Sequence, residues 1–303
     1  MTGPQIAWLA DGRRLHLNHG PIDLIIEAFG EEAERRAAYE QAIARFDTVL
    51  TGLVEELAEL RRPATATTRA FHGVIAQRME RAVCRHAPAF ITPMAAVAGA
   101  VADEMLAAMC TGRRLEKAYV NDGGDIAIHL AEGAVMKAAI AGTGHGFADR
   151  IMIGFADPVR GIATSGWRGR SYSLGIADAV TVLAKTAAEA DAAATLIANA
   201  VDLPGHPTVR RVPACDLAPD SDLGDRPVTV DVGPLKPGEI ASALGSGFAL
   251  AEEFWRRGLI EAAALFLGGD MRFFGTVALD DTPLKRSRPI TAHTEISKEL
   301  PNA

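Results

Sequence analysis

The sequence is short of cysteine, of aromatic side chains and of long apolar runs. Its 303 residues include 3 cysteines, which lie far apart, and aromatic residues make up only 6%. An odd number of isolated cysteines predicts neither a disulfide framework nor a zinc site, so buried free thiols are expected. No segment offers about 18 uninterrupted apolar residues without glycine or charge, and the chain does not begin with a basic, apolar leader. We therefore expect an unprocessed cytoplasmic protein.

Basic charge is also scarce. The chain carries 31 Lys and Arg against 38 Asp and Glu, a formal net charge of −7, and it has no run of basic residues interleaved with aromatics. This balance disfavours a nucleic-acid groove and an anionic membrane as partners. What is present is 49% hydrophobic and 23% charged residues, typical of a globular chain. The length suffices for one large core or two smaller ones and does not choose between them.

The periodicity of apolar residues predicts a mixed α and β protein that opens on a small sheet. Asp11-Gly12 lies between two strand-like runs and indicates a hairpin, and residues 22–29 read as a further strand. Apolar residues then recur at helical spacing from residue 31 to residue 60, which predicts one long helix. Its apolar stripe favours packing on the protein's own sheet, with a coiled-coil partner as the alternative.

The rest of the chain alternates between strand-like and helical segments. Residues 203–238 are rich in Pro, Asp and Gly and predict an irregular connection, residues 142–146 a loop, and residues 282–303 a flexible tail. Strands are predicted over 117–128, 135–141, 151–155 and 172–184 with a closing pair over 262–279, and helices over 70–86, 93–109, 187–201 and near 239–257.

A first candidate site is the turn Asn121-Asp122-Gly123-Gly124-Asp125 between two strand-like runs. Asn, Asp and Gly tolerate positive φ, and glycine lets a flat or anionic ligand approach the backbone closely. Taken alone, the turn favours a plain hairpin. A turn that lines a ligand is the alternative.

A second candidate lies early in the helix predicted over 187–201. Asp191 and Thr195 are four residues apart, which places a carboxylate and a hydroxyl on one helix face. Both are hard oxygen ligands suited to Mg²⁺, and the remaining ligands would then be water and substrate oxygens. The alternative is that Asp191 complements the helix dipole and Thr195 bonds its own backbone.

A third candidate is the strand end Thr164-Ser165-Gly166. Its hydroxyls and N–H groups suit a carbonyl-rich ring or a phosphate, although a simple turn uses the same residue types.

Together and in this order, these segments resemble the ApbE-like superfamily, whose best-known members are FAD:protein FMN transferases. The resemblance covers about residues 91–201 and includes a small-residue helix that contains Gly99 and ends in Asp103. The family's Asn-x-Gly-Gly-Asp turn, Ala-Thr-Ser-Gly strand end and Ala-Asp-Ala metal helix match residues 121–125, 163–166 and 190–192, with a slightly tighter spacing to Thr195.

The resemblance implies a single domain over residues 1–303 with an α+β, T-fold-related architecture of mixed or antiparallel sheets flanked by helices. It also implies FAD or a related flavin with Mg²⁺ as cofactors, and Asp191 and Thr195 as metal ligands. The residues it implies for the flavin are Gly99, Asp103, Asn121, Gly123, Gly124, Asp125, Thr164, Ser165 and Gly166. With the resemblance, a ligand-lining role for the turn over residues 121–125 is favoured over a plain hairpin. A metal-binding role for Asp191 and Thr195 is likewise favoured over purely local roles in their helix.

The chain departs from the transferases at two places. Ala98 stands where they usually carry Lys, and residues 174–182 lack their His-x-x-Asp-Pro-x-Thr-Gly segment, of which only Asp178 is matched. Asp178 and Asp191 are the catalytic candidates. Three functions are weighed: an enzyme that acts at the FAD diphosphate and transfers FMN to a protein hydroxyl, a non-catalytic carrier of a flavin or pterin-like ring, and an oligomeric interaction protein.

Overall fold

The structure is a computed structural model that describes residues 3–139 and 150–275. Its central feature is a nine-stranded sheet in which every neighbouring pair is antiparallel. In spatial order its strands are β1 (Gln5–Trp8), β2 (Leu15–His19), β3 (Ile22–Phe29), β4 (Lys117–Asp122), β5 (Asp125–Leu130), β8 (Gly161–Ser165), β9 (Ala179–Ala184), β12 (Ala262–Leu267) and β13 (Asp270–Gly275). Two smaller antiparallel sheets pair β6 (Val135–Ala139) with β7 (Arg150–Gly154), and β10 (Val209–Pro213) with β11 (Pro227–Val232).

Eight α-helices within the described residues accompany the sheets, and several of them pack against the nine-stranded sheet and against one another. They are α1 (Glu32–Phe46), α2 (Val49–Glu55), α3 (Leu57–Leu60), α4 (Val74–Cys84), α5 (Val97–Cys110), α6 (Ala187–Ala200), α7 (Ala214–Leu217) and α8 (Pro237–Arg256), with a 3₁₀ turn Pro93–Ala96 before α5. The helix α5 lies on β4 and β5, α6 lies on β8 and β9, and the two helices contact each other.

Strands β5, β8, β9 and β12 of the sheet are buried on both faces, as β12 illustrates, whereas β1 at the edge is exposed. Side chains alternate along a strand, so Ala263, Leu265 and Leu267 of β12 join the core under the helices. The residues between them, Ala264 and Phe266 among them, join a second core with β6 and β7 on the opposite face. A strand covered on both faces reads as a continuous apolar run rather than an alternating one.

Close packing of α5 on α6 depends on small side chains. Gly99 is the tightest point, because a Cβ placed there would lie 2.3 Å from the carbonyl oxygen of Ala187. The alanine-rich faces of both helices let the backbones approach in this way. The helices α5 and α6, which carry predicted site residues, are therefore held in close contact.

The α+β class with antiparallel sheets and flanking helices is confirmed, as are the opening hairpin and the strand over 22–29. The single helix predicted over residues 31–60 is wrong, because the segment divides into α1, α2 and α3. At the first break both the N–H and the hydroxyl of Thr48 donate to the carbonyl of Arg45, which closes a turn instead of continuing the α-helical ladder. Buried residues of α1, among them Ala42 and Phe46, face the core, as the packing interpretation requires.

Two further corrections concern irregular segments. Residues 203–238, predicted as irregular, contain β10 and β11, which pair with a bulge between Arg210 and Arg211. Conversely, only residues 179–184 of the strand predicted over 172–184 form a strand. The preceding residues instead bond to other segments, since the carbonyl of Ser173 accepts a hydrogen bond from the N–H of Thr229. The predicted loop 142–146, the end of the strand over 135–141 and the predicted tail 282–303 lie outside the described residues.

Within the described residues, the helical segment Pro93–Cys110 alone has the length and composition of a membrane span. Of its residues 44% are buried in the protein, where α5 contacts α1, α4 and α6, as a core helix does. The three cysteines are free thiols, Cys84 buried and Cys110 and Cys215 half-buried.

Candidate functional site

The turn between β4 and β5 is a two-residue hairpin turn. Gly123 and Gly124 both have positive φ, +61° and +118°, the conformation that glycine adopts without strain. The side-chain oxygen of Asn121 accepts a hydrogen bond of 2.8 Å from the N–H of Gly124, which fixes the turn locally. Asp122 and Asp125 are paired across the two strands, so the turn delivers two carboxylates to one end of the sheet.

The hairpin interpretation is therefore correct, and the same turn also shapes a polar site. The Asp125 carboxylate accepts a hydrogen bond of 3.2 Å from the backbone N–H of Thr164, at the end of β8. The hydroxyl of Thr164 bonds that of Thr181 on β9 at 2.9 Å. Ser165 follows as the last residue of β8, half-buried opposite Val180. The Asp125 carboxylate thus links two of the predicted site segments, the turn over residues 121–125 and the strand end over residues 163–166.

Asp191 on α6 reaches the same place from the helical layer. Its carboxylate accepts a hydrogen bond of 3.1 Å from the N–H of Gly99 on α5, and the residue as a whole is half-buried. Its deep position raises the pKa of the Asp191 carboxyl well above the usual range, and the negative charge of Asp125 raises this pKa further. The structure therefore brings the predicted turn, strand end and metal helix together.

Asp122 adds a third carboxylate that the sequence reading did not select. It is 5% exposed, and its burial raises the pKa to about 7. The N–H of Asp23 on β3 donates to it at 3.5 Å, a weak contact at the limit of hydrogen bonding. Burial also raises the pKa of Asp125, and the charge of Asp122 adds to that effect. Three carboxylates therefore influence one another at this end of the sheet.

The donor set fits a divalent cation that keeps outside ligands. Carboxylates that disfavour each other's charge are relieved by a cation, and the hard oxygens of Asp191 and Thr195 suit Mg²⁺. Thr195 is half-buried one helical turn beyond Asp191 on the same face. In the part of the chain that the structure describes, no group of three His, Cys, Asp or Glu side chains is arranged to hold a metal ion. Oxygens of a ligand or of water would complete the coordination.

Two predicted glycines are explained by packing of the protein itself. Gly99 faces the backbone of α6, and its N–H donates a hydrogen bond to the Asp191 carboxylate. A Cβ at Gly166 would lie 2.6 Å from the carbonyl oxygen of Asp178. By contrast, a Cβ at Gly124 would meet nothing within 4 Å, so the outer side of the turn is open to a ligand.

Asp103 acts as a cap for α6. Its two carboxylate oxygens accept hydrogen bonds of 3.0 Å from the N–H groups of Ala187 and Ala188. These are among the donors that a helix start leaves without intrahelical partners. Burial raises the pKa of Asp103 to about 6, while the two hydrogen bonds lower it. Asp103 therefore positions the helix that carries Asp191.

Asp178 has both of its oxygens engaged by the protein. One accepts from the guanidinium of Arg168 at 2.6 Å and the other from the N–H of Gly268 at 2.7 Å. These bonds tie the segment before β9 to the turn that follows β12. Asp178 therefore anchors the segment before β9 to the turn after β12.

Sequence reasoning missed Arg170. Its guanidinium lies against the β4–β5 turn so closely that a side chain at Gly123 would overlap it. The positive charge of Arg170 lowers the pKa of both Asp122 and Asp125, against the effect of their burial. The residue is exposed and belongs to the stretch between β8 and β9 that was predicted in part as strand. An arginine in an irregular segment gives no local signal of which turn it will cover.

A separate recess of about 250 Å³ lies between the end of α4 and the helices α6 and α8, and it contains none of the predicted site residues. His86, Leu196, Phe254 and Arg257 are among its lining residues. Burial, with the charges of Arg257 and Arg85, lowers the pKa of His86 to about 4, so this histidine is neutral at pH 7.

Comparison with known proteins gives one family match along most of the chain. The family described as AbpE bacteria matches residues 6–273. UPF0280 protein MK0206 of Methanopyrus kandleri is 42% identical over 127 residues, which cover 41% of this chain and 48% of that protein. UPF0280 protein MJ1526 of Methanocaldococcus jannaschii is 42% identical over 116 residues, 36% of this chain and 45% of that protein. The chain spans about half the length of the curated relatives it matches.

Two solved structures align with most of the chain. The apo form of the flavinyl transferase ApbE of Pseudomonas stutzeri has a TM-score of 0.43 and 12% identity, over 91% of this chain and 96% of that one. A mutant form of the flavin transferase ApbE of Vibrio cholerae has a TM-score of 0.37 and 13% identity, over 90% and 97% of the two chains.

Proposed function

Because the chain belongs to the family described as AbpE bacteria, we propose that it binds a flavin nucleotide and acts with Mg²⁺ at the diphosphate of FAD. The observation that carries the proposal is the meeting of Asp125 and Asp191, from the glycine turn and from α6, at one partly open place. A carboxylate pair of this kind attracts a divalent cation, and a cation with few protein ligands favours a diphosphate as partner.

The proposal assigns distinct tasks to the elements around the site. Asp191 and Thr195 would hold Mg²⁺, and the hydrogen bond from the Gly99 N–H restrains one oxygen of the Asp191 carboxylate. The open side of Gly124 lets a planar ring lie close to the backbone of the turn. Thr164, Ser165 and Gly166 border the same end of the sheet. The N–H and hydroxyl of Thr164 are bonded to Asp125 and Thr181, so the proposal assigns contact with the ligand to Ser165 and Gly166. When bound, Mg²⁺ supplies neutralisation of charge on the diphosphate.

In the transferase form of the activity, a Ser or Thr hydroxyl of an acceptor protein attacks the phosphorus on the FMN side. A new oxygen–phosphorus bond forms, the bond within the diphosphate breaks, and AMP leaves with the proton of the hydroxyl. Positioning and charge neutralisation supply most of the acceleration in such transfers. The chain's part is to fix the diphosphate near Asp191 and to leave the acceptor a path from solvent.

A non-catalytic flavin or pterin-like carrier is the second candidate, and two observations favour it. Ala98 replaces the lysine that the resembling transferases carry, and both oxygens of Asp178 are occupied by Arg168 and Gly268. Both oxygens of this carboxylate are thereby held by the protein itself. The carrier would keep the ring and the cation but would release no AMP.

The proposal is tested by titrating ligand-stripped protein with FAD, with and without Mg²⁺. Flavin fluorescence reports binding, and chromatography of the reaction mixture reports AMP. Saturable Mg²⁺-dependent binding with AMP release supports the enzyme, and binding without AMP in the presence of candidate acceptor peptides supports the carrier. Absence of flavin binding in both conditions would overturn both forms of the proposal.

A further inference from the structure

The segment between β8 and β9 carries Arg170 on a fixed base. The N–H of Trp167 donates to the carbonyl of Ala177 at 3.0 Å, and the N–H of Gly169 donates to the carbonyl of Gly166 at 3.0 Å. Arg168 adds its bond to Asp178. The loop is therefore closed at its base, while Arg170 is exposed at its outer end.

From this base, Arg170 reaches across to the hairpin turn. Its Nη2 atom would lie 1.5 Å from a Cβ at Gly123, so the guanidinium occupies the space that a side chain would take. Because Gly123 has no side chain, the guanidinium of Arg170 contacts the backbone of the turn. A cation is thus placed at the edge of the site, next to the pair formed by Asp122 and Asp125.

An arginine in this position suits two partners of the same charge. Its planar fork matches the oxygens of a phosphate as well as those of a carboxylate, and its charge persists at any physiological pH. A cation beside carboxylates also competes with a divalent metal ion, because both are attracted by the same negative charges. Arg170 is an exposed residue, so movement of its side chain from the turn to an anionic ligand does not require the loop to unfold.

We propose that Arg170 is the phosphate-recognising residue of the site: it covers the acidic turn before ligand binds and transfers to the phosphate group of the flavin nucleotide when ligand and metal enter. The inference rests on the proposed function for the identity of the ligand. It assigns to Arg170 the discrimination between a phosphorylated flavin and the bare ring, and a restraint on metal binding in the absence of nucleotide.

The test uses Arg170→Gln with the full chain and measures two affinities that move in opposite directions. Affinities for riboflavin, FMN and FAD are measured by fluorescence with Mg²⁺ present, and affinity for Mn²⁺ alone by electron paramagnetic resonance. We expect FMN and FAD affinity to fall by about tenfold to a hundredfold, the range for a lost charge-assisted hydrogen bond. Riboflavin affinity stays within about twofold, and Mn²⁺ binds several-fold more tightly, because a competing charge is gone.

Two matched variants separate recognition from general charge and from folding. Arg170→Lys keeps the charge and loses the fork, so it should retain wild-type Mn²⁺ affinity and lose part of the FMN affinity. Arg210→Gln removes the same charge from an exposed position on the separate sheet of β10 and β11 and should change neither affinity. A thermal transition like that of the wild type confirms that each variant is folded.

The possible results are decisive for Arg170. An equal loss for riboflavin and FMN would show that Arg170 serves the ring or the fold, and unchanged FMN affinity would exclude phosphate recognition. Unchanged Mn²⁺ affinity would exclude the restraint on metal binding. If the wild type binds none of the three flavins, the proposed function fails, whereas flavin binding that is insensitive to Arg170→Gln overturns this inference alone.

Discussion

The Asp191 carboxylate lies deep beside the charge of Asp125, and its protein donor is the N–H of Gly99. A buried charge near a like charge lowers stability unless a proton or a cation relieves it. The residue is therefore a poor choice for stability alone and a good one for holding a metal ion. Removing the charge of Asp191 should therefore weaken metal binding without lowering the stability of the fold.

Replacing Asp191 by Asn is expected to weaken Mn²⁺ binding by at least about a hundredfold, since the variant removes the charge of the proposed metal ligand. The melting temperature should stay equal or rise, because the repulsion from Asp125 disappears. Calorimetry and electron paramagnetic resonance measure the two effects on the same sample.

Thr195→Val is the matched control for that variant, because it removes a neutral oxygen ligand and keeps the shape of the side chain. Its Mn²⁺ affinity should fall by about tenfold, less than for Asp191→Asn. Undiminished Mn²⁺ affinity in both variants would remove the metal assignment.

His86 predicts a pH effect at a position away from the site. It is 3% exposed, and burial with the charges of Arg257 and Arg85 lowers its pKa from 6.5 to about 4. The unfolded chain takes up this proton near pH 6.5 and the folded chain only near pH 4. The stability from neutral His86 is present above pH 6.5 and is lost as pH falls, by about 2 kcal/mol at pH 5.

Urea unfolding of the wild type and of His86→Gln at pH 7.5 and pH 5 measures that difference. The wild type should lose about 2 kcal/mol more than the variant between the two pH values. The comparison of the two proteins cancels the titration of groups that both share. Parallel pH dependence in the two proteins would show that His86 is not held neutral.

At the scale of elements, the contact between α5 and α6 sets the position of Asp191. Gly99 is the point of closest approach, and its N–H is also the donor to the Asp191 carboxylate. Gly99→Ala should lower the free energy of unfolding by about 1–3 kcal/mol, because backbone must move to admit a methyl group. It should weaken Mn²⁺ binding at the same time, since the shift carries Asp191 away from its donor.

Gly245→Ala is the control within a helix of the same protein. Gly245 is exposed on α8, and a Cβ there would meet nothing within 4 Å. The change should raise the free energy of unfolding by about 0.5–1 kcal/mol, the helix propensity of alanine over glycine, and leave Mn²⁺ affinity unchanged. Chemical denaturation of both variants gives the comparison, and a similar response of the two would refute the packing account of Gly99.

The elements that could be predicted from sequence are those specified by local pattern. The two-residue turn at Gly123-Gly124 and the opening hairpin follow from residue types that adopt particular φ values. The meeting of residues 121–125, 163–166 and 190–192 was expected through the family resemblance. The features that could not be predicted depend on residues far apart in sequence. They are the contact of Arg170 with the turn, the cap that Asp103 provides at the start of α6, and the pairing of β10 with β11.

At the scale of the whole molecule, one antiparallel sheet runs from β1 to β13 and carries both ends of the described chain. Strands β12 and β13 pair next to β9, although α8 and the β10–β11 sheet intervene in sequence. Such a sheet exposes two cores together when it opens, so a single cooperative transition is expected. Differential scanning calorimetry should give equal calorimetric and van't Hoff enthalpies, and two separable transitions would show instead that the chain is divided into independent domains.

The cap on α6 has a consequence for the order of assembly. The acceptor for the amides of Ala187 and Ala188 is Asp103, which lies 84 and 85 residues earlier in the chain. The first turn of α6 is therefore completed by α5, after a long loop has closed. In a hydrogen-exchange experiment these two amides should gain protection together with the docking of α5. The arrangement that encloses the charges of Asp125 and Asp191, proposed above to bind a cation, is therefore expected to form only after α5 has docked on α6.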